Sequence, residues 1–158
     1  MNDFLATARV RSATKSDLPA IVALLADDVL GTSRESAAPE DLPIYERAFD
    51  AMSAQGGNEY LVVERDGQLL AVMQFTVIPG LSRRGRTRAL LEGVRVSSAC
   101  RGQGVGRWFF EQVFERARAS GCTLVQLTTD KRRDDARRFY ESLGFQATHE
   151  GMKRELSE

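Results

Sequence analysis

Arg101-Gly102-Gln103-Gly104-Val105-Gly106 lies between a strand-like run, Ala89–Val96, and a strongly amphipathic stretch, Val105–Ser120. Glycines at such a junction let backbone N–H groups converge without interference from a Cβ. The start of a helix adds unpaired N–H donors and the positive end of its dipole. Arg101 adds a fixed positive charge with forked donors. Strand, glycine turn and helix in this order predict an anion site, suited to the pyrophosphate of a cofactor.

The spacing narrows the kind of phosphate ligand. A nucleotide P-loop needs Gly-Lys-Ser/Thr after its glycines, but Arg107-Trp108 follows Gly106 and offers no metal-binding hydroxyl. The dinucleotide fingerprint begun at Gly102 would need its third glycine where Arg107 stands. It would also need an early βαβ unit with a later acidic residue. The pattern that fits is Arg-x-x-Gly-x-Gly.

Composition bounds what surrounds this turn. The chain has 158 residues, enough for one domain, 1–158, with a sizeable core. Its 22 basic and 22 acidic residues balance, which argues against a nucleic-acid partner. No apolar run approaches the roughly 20 residues that span a membrane. Met1-Asn2-Asp3-Phe4-Leu5 has neither a basic segment nor a long apolar core, so no secretion signal is expected. Cys100 and Cys122 form no metal-spaced pair, so neither a metal site nor a disulfide is expected. A cytoplasmic protein follows as the expectation.

The pattern of elements predicts an α/β (α+β) domain. Ala8–Ser12 reads as a short strand. Ser16 is the expected N-cap of a helix running to about Leu30, with Leu18, Ile21, Val22, Leu25 and Val29 at helical spacing. Gly31–Pro39 reads as a loop, and Pro39–Gln55 as a second helix closed by Gly56-Gly57. Tyr60–Glu64 and Leu69–Ile78 are β-rich runs joined at Asp66-Gly67, a strong hairpin signal. Arg88–Val96 should pair back antiparallel to the second of them. The helix after the glycine turn carries Val105, Phe109, Phe110, Val113, Phe114 and Ala117 on one face. Burial of its phenylalanines contributes roughly 1.5–3 kcal/mol each before entropy costs, which holds the turn rigid against the sheet. Thr123–Thr129 is the next strand, and a parallel crossover puts it beside Arg88–Val96. Asp134–Leu143 is the last helix, and Gln146–Leu156 should contain a closing strand.

The glycine turn after Glu92-Gly93-Val94-Arg95-Val96 resembles the acetyl-CoA motif of the GNAT superfamily of N-acetyltransferases. Ala136-Arg137-Arg138-Phe139-Tyr140-Glu141-Ser142-Leu143-Gly144-Phe145 resembles that superfamily's second signature, A-x-x-F-Y-x-x-x-G-F. The likeness extends over nearly the whole chain. It implies a mixed, mostly antiparallel central sheet flanked by helices, with a parallel pair splayed open to admit CoA as co-substrate. By resemblance, the segment Val94-Arg95-Val96 meets the cofactor, with Val94 and Val96 offering backbone groups to the pantetheine arm. The backbone amides of Gln103, Gly104, Val105, Gly106 and Arg107 would hold the pyrophosphate, with Gly102 shaping the turn and Arg101 anchoring it or approaching phosphate. Ser98 stands where many relatives have proline. Arg133 replaces a common asparagine and would meet a CoA phosphate or face solvent. A small-molecule amine is the implied acceptor, and a homodimer the implied assembly.

The implied chemistry needs two proton roles. A protonated amine cannot attack a thioester until a base takes its proton. Glu92 is the candidate, because it precedes the cofactor segment on the same strand; burial in the apolar run Ala89-Leu90-Leu91 would tune it. The alternative is a rim carboxylate paired with Arg88 or Arg95. Tyr140 is the candidate acid for the departing thiolate, against a core tyrosine with one satisfied hydroxyl. A backbone N–H on the Val94 strand would polarise the acetyl carbonyl. Cys100 beside the glycine turn raises a covalent acyl-cysteine route, which the resemblance disfavours. Arg83, Arg84, Arg86 and Arg88 read as a solvated hairpin tip or as a reader of acidic substrate groups. Acceptors of another kind, protein or peptide amines, stay open, as does a CoA-binding module without turnover; intact Glu92 and Tyr140 favour the enzyme.

Overall fold

Asp66 and Gly67 both take left-handed backbone angles, with φ of 50° and 78°. That is the two-residue turn whose twist matches the flanking strands. In the computed structural model, which describes residues 3–28 and 30–157, this hairpin joins β2 (Asn58–Arg65) to β3 (Gln68–Ile78). β1 (Arg9–Ser12) pairs antiparallel on the outer side of β2. β4 (Arg88–Val96) returns antiparallel along β3. β5 (Leu124–Leu127) lies parallel to β4, completing the order β1-β2-β3-β4-β5. The sheet is therefore mostly antiparallel with one parallel pair, as the sequence implied.

Helices cover both faces. α1 (Leu18–Ala26) and α2 (Leu42–Gln55) lie on one side, where Leu18, Ile21 and Leu24 pack on Val62 and Val72. α4 (Val105–Ala119) lies on the other, burying Val105, Phe109, Phe110, Val113 and Ala117 against Leu61, Met73, Phe75, Ala89 and Leu91. Phe114 is only partly buried. α5 (Asp134–Ser142) adds Phe139 and Tyr140 to the edge of that core. Between β3 and β4 a single turn, α3 (Ser82–Gly85), carries Arg83 and Arg84 in left-handed conformations.

Several boundaries differ from the sequence expectation. Thr14, not Ser16, caps the 3-10 turn Lys15–Asp17 that precedes α1, through a capping box with Asp17. α1 ends at Ala26, before the expected Leu30. The chain then folds back so tightly that a Cβ on Gly31 would stand 2.1 Å from the Leu25 carbonyl oxygen. Val29, expected on the buried face of α1, lies outside the described residues. The closing strand expected in Gln146–Leu156 is not formed: residues 146–157 pair with no strand and are exposed. Short charged segments such as Lys153-Arg154-Glu155 supply little apolar surface to hold a strand on the sheet.

Candidate active site

The site begins where β4 and β5 part. Their pairing runs from Arg88 with Leu124 to Leu91 with Leu127 and stops there. Glu92 is thus the first residue of β4 beyond the parallel ladder. From Glu92 to Val96 the strand keeps β3 as a neighbour but leaves its other edge open to a wedge.

Gly93 shapes that edge. The register with β3 shifts between Val72 and Gln74, where β4 carries one extra residue, and Gly93 has φ of 58°. This is a β-bulge with its special residue in the left-handed region. It exchanges the faces of the strand. Ala89 and Leu91 point into the α4 core before it, and Val94 and Val96 pack on the same core after it. Arg95 is thereby turned to the α1 face.

On that α1 face a polar row crosses three strands. Tyr60 pairs with Gln74, and Gln74 with Glu92. The next row holds Asn58 opposite Thr76, and Gln74 Nε2 donates to Asn58 Oδ1 at 3.0 Å. Tyr60 is the residue that sequence reasoning missed. Its hydroxyl lies so close to Gly93 that a Cβ there would be 2.9 Å from it. Burial pushes the Tyr60 hydroxyl up to about 12; Glu35 and Glu92 act in the same direction and Arg95 against it. It therefore keeps its proton to a higher pH than an ordinary tyrosine does.

Glu92 itself is exposed, so the burial expected to tune it is absent. The rim pairing weighed against the base role is also absent. Among the described residues neither Arg88 nor Arg95 forms an ion pair with Glu92; Arg95 pairs with Asp28 instead.

Asp28 also takes Arg133. Arg95 Nε and Arg133 Nη2 approach the same oxygen, Oδ2, at 2.8 and 2.9 Å. The Arg133 contact is an aligned hydrogen bond. Arg95 Nε is buried and not aligned for one, so its contact is one of charge, which does not depend on alignment. Arg95 Nη1 donates to its neighbour's carbonyl, Val94 O, at 2.9 Å. Asp28 Oδ1 accepts from the N–H groups of Leu30 and Gly31 at 2.9 and 2.6 Å. Burial works to raise the Asp28 carboxyl, but the Gly31 N–H and the two arginines prevail and hold it below the ordinary carboxylate value. Both guanidinium groups are thus engaged on Asp28.

The glycine turn opens α4 as the sequence suggested. Gly102 and Gly104 have φ of 76° and 81°, with open space where a Cβ would lie. Gly106 is required for another reason: its Cβ would stand 3.2 Å from Phe139 Cζ and 3.6 Å from Val96 Cγ2, so α4, α5 and β4 meet there. The Gln103 N–H reaches Cys100 O at 3.4 Å. Those of Val105, Gly106 and Arg107 stand at the first turn of α4, before the first intrahelical acceptor is available. Arg101 is exposed, and the Arg107 side chain donates to Ser142 Oγ on α5 at 2.9 Å.

Tyr140 sits in an aromatic group, its ring centroid 5.8 Å from Phe110 and 6.0 Å from Phe145. Burial raises its hydroxyl, while the charges of Arg133 and Arg95 act the other way. Cys100 is buried and its thiol contacts Leu70 O and Ser97 O. Burial raises that thiol and Arg101 only partly offsets it, contrary to the activation considered from its place beside a helix start. An open apolar trough of about 510 Å³ between α1, Ala37 and Leu69 lies apart from the Glu92 row.

The sequence pattern of the acetyltransferase (GNAT) family matches residues 20–145. The chain belongs to the GNAT acetyltransferase family. As a member it is an acyltransferase. A transcriptional regulator from Bacillus halodurans C-125 shares 45% identity and a TM-score of 0.88, covering 94% of this chain and 99% of its own. A candidate acetyltransferase of Agrobacterium tumefaciens str. C58 shares 30% identity and a TM-score of 0.81 over 94% and 99% of the two chains. Glucosamine 6-phosphate N-acetyltransferase of Trypanosoma brucei brucei is 30% identical over 90 residues, 57% of this chain. The match spans 59% of that curated relative's length. In this GNAT protein the wedge, the glycine turn and Tyr140 converge on one end of the sheet. Among the described residues, no helix is long and apolar enough to cross a membrane.

Proposed function

We propose that this acetyltransferase moves the acetyl group of acetyl-CoA to the primary amine of a small molecule, by direct attack in a ternary complex. The observation that carries the reading is the place of Glu92: first on β4 beyond its last pair with β5, exposed, and without an ion-pair partner among the described residues.

The residues fit the co-substrate. Gly102 and Gly104 have open space where a Cβ would lie, just before the first amides of α4, and a helix start of this kind suits a pyrophosphate. The free edge of β4 from Glu92 to Val96 suits the amides of an extended pantetheine arm, added like a strand. Its Val94 carbonyl is met by Arg95 Nη1, so Arg95 must yield or share that acceptor. Acetyl-CoA supplies a thioester activated for attack.

Glu92 takes a proton from the ammonium of the acceptor, directly or through water. The amine nitrogen then bonds to the acetyl carbon. A backbone N–H of the Val94 segment stabilises the oxyanion. The carbon–sulfur bond breaks, Tyr140 gives its hydroxyl proton to the thiolate, and the new amide nitrogen returns its second proton to the Tyr140 phenolate, directly or through water; burial raises that hydroxyl. Tyr60, Gln74 and Asn58 place hydrogen-bonding groups beside Glu92, which suits a small polar amine. The named activity of the Trypanosoma relative, on an amino sugar phosphate, is of that class.

A panel of small amines and short peptides, followed by release of free thiol from acetyl-CoA, tests the reading. Acetyl transfer to at least one small amine is expected. Acetyl-CoA binding with no transfer to any amine would mark a binding module instead, and transfer to peptides alone would mark a protein-directed enzyme. Cytoplasmic location and a homodimer complete the reading; fractionation and sedimentation of the full chain test them.

A further inference from the structure

We propose that Asp28 is a positioning residue that fixes the mouth of the wedge by clasping its two sides on one carboxylate. The inference rests on the reading of the wedge as the acetyl-CoA cleft. Arg95 stands on β4 beyond Leu91, where that strand has left β5. Arg133 stands after β5, immediately before α5. The two arginines thus belong to opposite sides of the opening, and Asp28 Oδ2 lies within 2.9 Å of both.

The other carboxylate oxygen fixes the clasp to the body of the fold. Asp28 Oδ1 holds the Leu30 and Gly31 N–H groups, and the Gly31 backbone is packed against the Leu25 carbonyl of α1. Asp28 cannot drift without unravelling that turn. Its side chain is 15% exposed, and those of Arg95 and Arg133 are 20% and 28% exposed, so bulk salt screens these pairs less than surface ones. Two guanidinium groups share one anion. With the anion removed they repel, and the sides of the wedge are pushed apart. Through Arg95 the clasp also orients the Val94 carbonyl, an acceptor on the free edge of β4. On the wedge itself Asp28 acts through the two arginine side chains, while its other oxygen holds the turn after α1.

Calorimetric titration of acetyl-CoA into the full chain tests this, with hydrogen exchange on the unliganded protein beside it. Asp28→Asn should raise the Kd about 10-fold, and Arg133→Gln should raise it several-fold. Asp17→Asn is the matched control, because Asp17 also holds an arginine, Arg11, but at the far end of α1. It should leave the Kd unchanged within about twofold. In Asp28→Asn, exchange should rise together at residues 94–96 and 131–133. An unchanged or tighter Kd in Asp28→Asn overturns the clasp, as does faster exchange on one side alone. If Asp28→Asn does not fold, Arg133→Gln carries the test, and an unchanged Kd there overturns the clasp. Failure of the native chain to bind acetyl-CoA contradicts the reading of the cleft, and the exchange pattern then decides the clasp by itself.

Discussion

The Tyr60 hydroxyl occupies the space beside Gly93, 2.9 Å from where a Cβ on that residue would stand. The bulge and the tyrosine are therefore coupled. A side chain at 93 would both adopt a disfavoured φ of 58° and collide with the hydroxyl. Gly93→Ala should cost about 2–3 kcal/mol in denaturant unfolding. In a Tyr60→Phe background the same change should cost less, by at least about 0.5 kcal/mol, because the collision is relieved. Equal costs in both backgrounds would show that backbone strain alone is at work.

Tyr60 also predicts an alkaline limit to stability. Its folded value of about 12 lies above the ordinary 10.0. Between these values the unfolded chain has lost a proton that the folded chain keeps. Stability contributed by the neutral hydroxyl is thus complete below pH 10 and declines as pH rises towards 12. Denaturation between pH 9 and 12 should show a fall in stability that is shallower in Tyr60→Phe by about one proton.

Gly104 and Gly106 should respond differently to substitution. Gly104 has room for a side chain but a left-handed backbone, with φ of 81°. Gly104→Ala should cost about 1–2 kcal/mol, and Gly104→Asn less, since asparagine tolerates that region. Gly106 is helical but crowded by Phe139. Gly106→Ala should be destabilising with Phe139 present and milder in a Phe139→Leu background. Thermal unfolding of these five proteins, the Phe139→Leu background included, checks both statements.

Glu92→Gln should slow acetyl transfer more at neutral pH than at high pH, where free amine is abundant. A loss of about 10²–10⁴-fold at neutral pH is the usual size of a general-base contribution. Equal losses at every pH would count against the base role. Tyr140→Phe should lower turnover when chemistry limits the rate; unchanged turnover under that condition would remove Tyr140 as the acid.

The two motifs and the hairpin were legible in the sequence because each is local. Asp66-Gly67 states a turn, and Arg101 to Gly106 states a helix start. Gly93 was a visible interruption of an apolar strand, but not visibly a bulge that turns Arg95 to the α1 face. The Asp28 clasp was illegible for a plain reason: Asp28 and Arg133 are 105 residues apart, and only the finished fold joins them. Of the two expectations for Arg133, a phosphate contact or a solvent-facing residue, the structure contradicts the second: the side chain is half-buried and paired with Asp28. Tyr60 was hidden because an aromatic residue in a β-rich run reads as core. The missing strand after Gln146 failed for want of apolar alternation in a charged segment.

The most direct test of the central claim is a crystal structure of the full chain with CoA. The pyrophosphate should rest on the amides at the start of α4, and the pantetheine arm should run along Glu92 to Val96, with its sulfur near Tyr140. CoA bound elsewhere on the molecule, or with its thiol remote from Glu92 and Tyr140, would contradict the account.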